Sequence, residues 1–566
     1  MPPNDKVAVI GAGALGLMAL KQFKEDGFDV TGFESRPYVG GLWKDSRDST
    51  ISVHASTVFN TSKFRAAISD FPFPESTDNF PTATQMHDYL CSYADHFDVK
   101  RHVKLNTKVK QILRENGQWI LEVEDVTSGS VSTQRFDRVA IATGSYYAPR
   151  WPKLEGLEKF SGKAFHSIDF HTSESFKDQN LLLIGMHATA LDTTTALSGI
   201  AKHVYLSHRH GLTLLPSYTP EGEPSDTVPG LGFLMVQSWL EANMPATWTW
   251  LFDKVLSRIS NAAFPNTPDE WGFRPAPSIA VATPVMGDSV WPHLKSGFAE
   301  PVPGVKHITG PKTVELTNGR VLTDIDTIIY CTGYDFDIPE DLIPKTPSQE
   351  NLYHPYPNGP RTNPYLYRNI FPLTSDETIR NTLAFIGHSA TPYPGFVQFE
   401  LACMAVSQIW VGNKSLPDLP TMKTWHATWT AQRAATIRKY NAPSDSTFYP
   451  ALLPFAKYFP WMNEMAGTGL FETMGGKCNG MFNARTWELW WRDRELYDLM
   501  RNGILTPTVF RVFEMESGGR KALGWEEGKR RLRRDNEVYQ KAVRARGREL
   551  GLDEDTGKPL KGGKAA

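Results

Sequence analysis

Twice along this chain an apolar run of five residues breaks at a glycine and resumes with a helical period. The first run, Lys6-Val-Ala-Val-Ile10, ends in Gly11-Ala12-Gly13-Ala14-Leu15-Gly16; Leu15, Leu17, Ala19, Leu20 and Phe23 then recur at helical spacing until Gly27. A short apolar run bounded by turn residues predicts a buried strand, and recurrence every three or four residues predicts a helix. A further strand, Asp29 to Phe33, ends at Glu34. The second occurrence starts with Asn180-Leu-Leu-Leu-Ile184 and turns at Gly185-Met186-His187-Ala188-Thr189-Ala190. It continues as a helix to Gly199 and adds a strand over 203–206, followed by Ser207-His208-Arg209-His210. Two more apolar runs, Asp137 to Ala142 and Asp326 to Cys331, each break at Thr-Gly, at Thr143-Gly144 and Thr332-Gly333. Strands that end alike before and after the second unit predict that one unit is inserted in the other.

Elsewhere the pattern is less regular. Residues 210–300 hold several prolines and an aromatic cluster, Phe233, Trp239, Trp248, Trp250, Leu251 and Phe252. Met244-Pro245 interrupts the cluster, so one continuous amphipathic helix is not expected. Three readings are open for it: burial against the main body, lining a substrate entrance, or resting on a membrane surface. From about Leu416 large rings accumulate (Trp425, Trp429, Phe455, Tyr458, Phe459, Trp461, then Trp487-Glu-Leu-Trp490-Trp491), a density expected of a core. Residues 525–550 predict a basic helix carrying Lys529, Arg530, Arg531, Arg533 and Arg534 on a solvated face, and 557–566 form a polar tail.

Composition narrows the function classes. A chain of 566 residues is long enough for two or three cores. Sixty Lys and Arg against 62 Asp and Glu exert no pull toward nucleic acid, and the basic helix has no recognition motif beside it. No apolar run approaches the roughly 18 residues of a membrane span, and the start lacks the apolar stretch of a secretory leader. A cytoplasmic protein is the expectation. The four cysteines, Cys91, Cys331, Cys403 and Cys478, form no Cys-x-x-Cys pair, which argues against a disulfide framework, a zinc site or a dithiol redox centre.

The strand–turn–helix–strand order around Gly11, Gly13 and Gly16 is that of a dinucleotide-binding unit. Gly11 permits the turn, Gly13 the approach of a pyrophosphate, and Gly16 the packing of helix on sheet; the helix N-terminus offers unpaired N–H groups to the anion. Glu34 is placed to accept from ribose hydroxyls and repels a 2′-phosphate, so FAD or NAD fits better than NADP. Arg36-Pro-Tyr-Val-Gly40-Gly41-Leu42-Trp43 then lets the chain pass close to a flavin ring and wall it with an aromatic. In the second unit only Gly185 survives. Ala190 is an accepted third residue, but His187 puts a side chain where the pyrophosphate must come close. Either the loop bends aside, or His187 contributes a hydrogen bond, or nicotinamide binding is weak. Ser207 and Arg209, where the first unit has Glu34, suit a 2′-phosphate and so NADPH.

Between the two units lies Phe160-Ser-Gly162-Lys-Ala-Phe-His166-Ser-Ile-Asp-Phe170. With the two fingerprints and Gly-Gly-x-Trp, this Phe-x-Gly-x-x-x-His-x-x-x-Phe pattern resembles the signature of flavin-containing monooxygenases. The likeness runs from residue 5 to about 410. It includes Phe59-Asn60-Thr61-Ser62-Lys63, Ser69-Asp70-Phe-Pro-Phe-Pro74, Tyr89-Leu90, Ala94-Asp-His-Phe97, Ala384-Phe-Ile-Gly387 and Gly395-Phe-Val-Gln398-Phe-Glu400-Leu-Ala402. The resemblance implies an α/β fold of two Rossmann-like dinucleotide-binding domains, one inserted in the other, with a helical C-terminal extension. Residues 1–165 would be the first part of the FAD domain and 166–325 the NADPH domain, with an insertion at about 210–300. Residues 326–415 would complete the FAD domain, and 416–566 would form the extension.

The same resemblance implies the chemistry. NADPH reduces FAD, oxygen adds to give a C4a-hydroperoxyflavin, and one oxygen atom passes to a nucleophilic nitrogen or sulfur of a small molecule. Asn60 lies beside the reactive flavin edge, where a neutral amide hydrogen-bonds without ejecting peroxide. Asn60 and His166 are the candidate catalytic residues, with three roles open for His166: orienting or coupling the domains, holding the nicotinamide cofactor, or direct proton transfer. Candidate cofactor contacts are Gly11, Gly13, Ala14, Leu15, Gly16, Glu34, Gly41, Leu42, Trp43, Asn60, Thr61, Val109, Thr143, Gly144, Gly333 and Gln398. Gly185, His187, Thr189, Ala190, Ser207 and Arg209 complete the set. Baeyer–Villiger monooxygenases are similar, but their motif usually ends in Trp where this chain has Phe170-His171. They also usually carry a Tyr-Pro-Gly segment where Trp43 is followed by Lys44-Asp-Ser-Arg-Asp-Ser-Thr50. Oxygenation of nitrogen or sulfur is therefore preferred; attack on a ketone and an FAD protein with impaired NADPH turnover are the alternatives.

Overall fold

A computed structural model describes residues 4–46, 51–146, 148–335, 338–346, 352–353, 365–389, 391, 393, 395–441, 453–475, 482–516 and 520–552. Cys478, residues 47–50 after Trp43 and the polar tail at 557–566 lie outside them.

Two five-stranded sheets organise the nucleotide units. The first runs Leu383–Phe385, Arg138–Ile141, Lys6–Ile10, Asp29–Phe33, Val103–Lys104, every neighbouring pair parallel. The second runs Lys163–His166, Thr327–Tyr330, Asn180–Ile184, His203–His208, Ala299–Pro303, again all parallel. The central runs are almost wholly buried, with Val7, Ala8, Val9, Leu181, Leu182 and Leu183 at 0% exposure. Parallel strands covered on both faces give such continuous apolar stretches. The helices Ala14–Glu25 and Ala188–Leu197 follow the two central strands, as their apolar periods predict.

The expected domain boundaries shift. Strands Lys163–His166 and Thr327–Tyr330 both belong to the second sheet, whereas breaks at 165/166 and 325/326 would assign them to the first unit. Hydrogen bonding decides this: Thr327–Tyr330 pairs with Asn180–Ile184 on one side and Lys163–His166 on the other. The chain crosses between units through an antiparallel ribbon, Ala148–Pro149 with Tyr334–Asp335. It re-enters the first sheet only at Leu383–Phe385.

The insertion contains two helices, Leu231–Asn243 and Pro245–Ala263, broken at Met244-Pro245 as expected. Burial of its aromatic cluster is not borne out. Trp248 is buried, but Trp250 is 61% exposed, and Phe233, Trp239 and Leu251 are exposed as well. Those residues fall on the face that points away from the body. The C-terminal extension is helical, and its core holds Phe455, Tyr458, Phe459 and Phe510 packed against the Val397–Val411 helix. Here too one expectation fails: on the Ala484–Arg492 helix Leu489 is buried, while Trp487 and Trp491 are exposed. The basic helix, Trp525–Glu549, is laced by ion pairs, Lys529 with Asp493 at 2.6 Å and Arg530 and Arg531 with Glu527 at 2.7 Å.

A buried ionic cluster pins this extension to the first unit. Arg511 Nη1 lies 2.8 Å from Asp70 and 3.5 Å from Glu400, its Nε 2.8 Å from Glu514, and Lys21 Nζ 2.5 Å from Asp70. Burial raises the Asp70 carboxyl, but Lys21 and Arg511 outweigh it and hold the group well below the usual carboxylate range. Removing one partner of such a buried set costs about 3–5 kcal/mol, because the other charge is left uncompensated. Among the described residues no helix is long and apolar enough to cross a membrane.

Candidate functional site

Both glycine turns open on one continuous cavity of about 2750 Å³. A single small-molecule site is about 300–1,000 Å³, so this space accommodates more than one ligand. In the first turn Gly11 has φ +96°, and a Cβ there would lie 2.7 Å from Ala142 O. In the second, Gly185 has φ +109°, and a Cβ would lie 2.4 Å from Cys331 O. Only glycine tolerates both demands. Ala142 and Cys331 are the residues just before Thr143-Gly144 and Thr332-Gly333, so each Thr-Gly turn is the wall that its unit's glycine turn rests on.

Of the sequence-predicted residues of the first unit, Gly11, Gly13, Ala14, Leu15, Glu34, Gly41, Leu42, Trp43, Asn60, Thr61, Val109, Thr143, Gly144 and Gln398 line the cavity. Gly16 does not; a Cβ there would meet Gly11 O at 1.8 Å, so its role is to let the helix close on the turn. Glu34 is nearly buried. Its Oε2 accepts from Ala12 N at 2.9 Å and its Oε1 from Arg36 N at 3.0 Å. Thr143 Oγ1 is buried at the wall without a hydrogen-bond partner among the described residues. An orphaned hydroxyl beside a glycine-lined cradle fits a bound polar cofactor, since buried polar groups otherwise find partners.

Asn60 is exposed into the cavity between the half-buried Phe59 and the buried Thr61. Phe59 packs between Trp43 (5.0 Å between ring centroids) and Phe396 (5.8 Å), which gives this wall an apolar, water-excluding character. The residues after Asn60 are anchored: Ser62 N donates to Asp226 Oδ2 at 2.8 Å, and Lys63 Nζ donates to Glu75 O and Thr77 O at 2.9 and 2.6 Å. Arg65 adds bonds to Tyr393 OH and to the carbonyls of Asp226 and Pro229. Gln398 is held by Thr391, whose N and Oγ1 donate to its Oε1 at 3.1 and 2.6 Å.

In the second unit Gly185, His187, Thr189, Ser207, Arg209 and Gly333 line the same cavity, and the fully buried Ala190 does not. His187 caps the Ala188–Leu197 helix, with Nε2 3.4 Å from both the carbonyl and the hydroxyl of Thr283 in the insertion. Burial lowers its basicity, opposed by the bond to the Thr283 carbonyl, so the ring stands neutral. The ring is turned toward Thr283, so it is the side chain that lies aside here; which of the three arrangements applies to a bound dinucleotide is a matter for the titration of His187→Gly. Ser207 Oγ donates to Pro303 O at 3.1 Å, and Arg209 is exposed at the cavity wall.

His166 requires a correction. It is fully buried and does not line the cavity. Nδ1 accepts from Ile168 N at 3.2 Å, so the proton sits on Nε2, which donates to Gly333 O at 3.0 Å. Burial lowers its basicity against that bond. Both nitrogens are taken by backbone, which places the ring against the Thr332-Gly333 turn. Elsewhere in its motif a Cβ on Gly162 would meet Asp326 O at 2.2 Å, while Ser167, Ile168 and Phe170 line the cavity, Phe170 packing on Phe176 and 5.3 Å from His54.

Several cavity residues carry no signal in the linear sequence. Asp192, Thr57, Tyr218, Tyr440 and, from the C-terminal helix, Ala542, Ala545, Arg546 and Glu549 all line the cavity. Arg546 stacks on Tyr218 at 4.6 Å, closing the rim with a residue 328 positions away. Only the fold brings these together.

The comparisons with known proteins agree with this geometry. A family model described as flavin-binding monooxygenase-like matches residues 4–449. Monooxygenase aurF of Gibberella zeae is 33% identical over 529 residues, covering 92% of this chain and 95% of that protein. Flavin-containing monooxygenase 2 of Homo sapiens is 31% identical over 430 residues, 74% of this chain and 75% of that one. Among solved structures, S-allyl-L-cysteine S-oxygenase from Allium sativum aligns with a TM-score of 0.57 at 20% identity, covering 88% and 95% of the two chains. A closed cyclohexanone monooxygenase aligns at 0.57 and 16% identity, covering 83% and 98%. At these identities the structures speak for the fold alone, two Rossmann-like domains, while the family match spans most of the sequence. With its two glycine turns opening on a shared cavity, the chain belongs to the flavin-binding monooxygenase-like family.

Proposed function

We propose that this protein is an FAD- and NADPH-dependent monooxygenase that transfers one oxygen atom to a nucleophilic nitrogen or sulfur of a small molecule. The observation that carries the reading is the meeting of both turns in one cavity, with Asn60 on its wall. Gly11, Gly13, Ala14, Leu15, Glu34, Gly41, Leu42, Trp43, Thr61, Val109, Thr143, Gly144 and Gln398 would hold FAD. Gly185, His187, Thr189, Ser207, Arg209 and Gly333 would hold NADPH. Bound and reduced, the flavin supplies activated oxygen, and the cofactor carries that chemistry.

The chain's own part is positioning and exclusion. Glu34 would accept from ribose hydroxyls, and the helix N-termini at Ala14 and Ala188 would offer their N–H groups to the phosphates. Arg209 supplies a charge-assisted pair for a 2′-phosphate. The Trp43–Phe59–Phe396 ring cluster would help keep water from the flavin beside Asn60. Asn60, neutral at every relevant pH, offers hydrogen bonds and no acidic proton.

Oxygen uptake by the FAD-loaded protein with NADPH tests this, run with a tertiary amine, a thioether and a cyclic ketone in parallel, with products weighed by mass spectrometry. An N-oxide or S-oxide formed in step with NADPH consumption is the expected result. A lactone from the ketone, with the amine and thioether untouched, would move the reading to Baeyer–Villiger chemistry. Hydrogen peroxide as the sole product from all three would sink it.

A further inference from the structure

The C-terminal helix, Trp525–Glu549, reaches the cavity with one stripe of its last two turns. Ala542, Ala545, Arg546 and Glu549 line the cavity, and spacings of three, four and seven residues put the four on one side of a helix. The stripe lies beyond residue 449, outside the stretch that the family model matches.

Both ends of the stripe are fixed to the segment that bears Asn60. At the inner end Ala542 packs against the cluster of Phe64, Ile504 and Tyr539, in which the Phe64 and Tyr539 rings meet edge to face at 5.3 Å. At the outer end Arg546 lies over the Tyr218 ring at 4.6 Å, and Tyr218 meets Phe80 edge to face at 5.3 Å. Phe80 belongs to a stretch that runs antiparallel to the Asn60 segment: Val58 bridges Thr82, and Phe59 N donates to Pro81 O at 2.8 Å. That register sets Phe80 opposite Asn60. The turn that follows Tyr218 is pressed on the helix as well, since a Cβ on Gly222 would lie 3.4 Å from both Arg546 Cγ and Gly547 N. Three distant parts of the chain thus build one end of the cavity: Phe80 from the first unit, Tyr218 from the insertion and the helical stripe from the extension.

Around these rings the charges pair off. Arg546 Nη1 lies 2.7 Å from Glu549, Lys541 Nζ lies 3.7 Å from Glu75, and Lys63 Nζ is taken by the carbonyls of Glu75 and Thr77. Asp288 accepts from Ser217 N and Oγ, and Asp78 is exposed to solvent. Such a set exerts no strong pull on a charged substrate of either sign. Shape is what discriminates here: two alanines leave width on the helix side, and two rings with a guanidinium plane face that width. Ring edges, ring faces and a guanidinium plane favour a flat π-system over a saturated body of equal bulk.

We infer that the last two turns of the C-terminal helix are the specificity wall of the oxygenation site: Ala542 and Ala545 set its width, and Arg546, Tyr218 and Phe80 receive a flat aromatic nucleophile. The inference rests on the reading of Asn60 as the reacting end of the cavity. Arg546 acts here on selection and positioning, through the Tyr218 ring, and takes no part in oxygen transfer.

The FAD-loaded full chain tests this with methyl naphthyl sulfide, its saturated counterpart methyl decalyl sulfide, and dimethyl sulfide. Binding of the two larger probes is read as a change in flavin absorbance, which needs no NADPH; turnover of all three is read as sulfoxide by mass spectrometry. Flavin content checks the fold of each variant. Wild type should hold the naphthyl probe about tenfold more tightly than the decalyl one, the value of one or two ring contacts. Ala545→Leu narrows the wall and should lose about tenfold more kcat/KM on the naphthyl probe than on dimethyl sulfide. Arg546→Gln should shrink the naphthyl-over-decalyl preference roughly two- to fivefold, the value of one cation–π contact, and Arg546→Lys should restore part of it. Equal losses on every probe in Ala545→Leu, or a preference unmoved in Arg546→Gln, would overturn the inference; should Ala545→Leu come out without flavin, Arg546→Gln decides alone. Wild type that binds neither larger probe would overturn it too. Ring-selective binding that depends on Arg546, with no sulfoxide from any probe, would uphold the wall and overturn the reading of the chemistry instead.

Discussion

The two glycine turns share a backbone and differ in what they show a ligand. Gly11 N donates to Phe33 O and Gly185 N to Ser207 O, both at 2.8 Å; Ala142 N donates to Ile10 O and Cys331 N to Ile184 O, both at 2.9 Å. Each turn glycine lies against the carbonyl of the residue before Thr-Gly, and each sheet has the corresponding strand order. The second position, by contrast, is Gly13 in one and His187 in the other, and the end of the second strand is Glu34 in one and Ser207 with Arg209 in the other. The comparison teaches that the scaffold requirement is backbone geometry at one glycine and one Thr-Gly wall. The side chains facing the cavity are free to diverge, and with them the choice of dinucleotide.

The strongest way to break this comparison is to fill the two turns separately. Gly11→Ala combines left-handed strain with a clash on Ala142 O, a cost of about 3 kcal/mol or more, and should leave the purified protein without flavin absorbance. Gly185→Ala should keep the flavin and lose roughly a hundredfold in NADP+ affinity, about 2.7 kcal/mol; loss of flavin in both variants would show that the units do not stand alone. The next largest effect belongs to Arg209→Ala. Losing a charge-assisted hydrogen bond of about 1.5–3 kcal/mol should raise KM for NADPH about 10- to 100-fold with little change for NADH, and an equal loss for both would deny it the 2′-phosphate. Asn60→Ala should retain flavin and NADPH oxidation while oxygenated product falls about tenfold, the value of roughly one hydrogen bond of 1–1.5 kcal/mol, with peroxide making up the difference. Smallest of all is His187→Gly. With the ring turned toward Thr283, NADP+ affinity should change less than about fivefold, the flexibility of an added glycine being worth about 1 kcal/mol; a larger loss by calorimetric titration with NADP+ would mean that the imidazole touches the dinucleotide.

Much of the scaffold was legible because it is written in local pattern. The apolar runs, the glycines that follow them and the helical stripes need only neighbouring residues to be recognised, and both turns lie where those patterns place them. Strand partnership was not legible: Thr327–Tyr330 and Lys163–His166 are apolar runs like any other, and nothing within them says which sheet supplies their hydrogen bonds. Ring density misled for the same reason. Trp250 and Trp491 stand in aromatic clusters, yet a helix face is defined by what packs against it, and both rings stay mostly exposed. His166 was recognised as a motif residue, but its commitment to two backbone partners depends on the Thr332-Gly333 turn, 166 positions downstream. Arg546 shows the limit most clearly, since a basic residue on a C-terminal helix announces nothing until the fold lays it over Tyr218 at the cavity rim.

The order of strands in the chain also dictates when each sheet can be finished. All five strands of the second sheet are encoded between Lys163 and Tyr330, whereas the first lacks an edge until Leu383–Phe385 has left the ribosome. At about 5–20 residues per second, the nascent protein carries a completed second unit for roughly 3–11 s while Arg138–Ile141 waits with one side unpaired. That waiting edge, bearing the apolar Val139 and Ile141, is a template for association with another chain. Chaperones in excess during synthesis, which cover that edge while it waits, are the condition under which this polypeptide should be recovered intact.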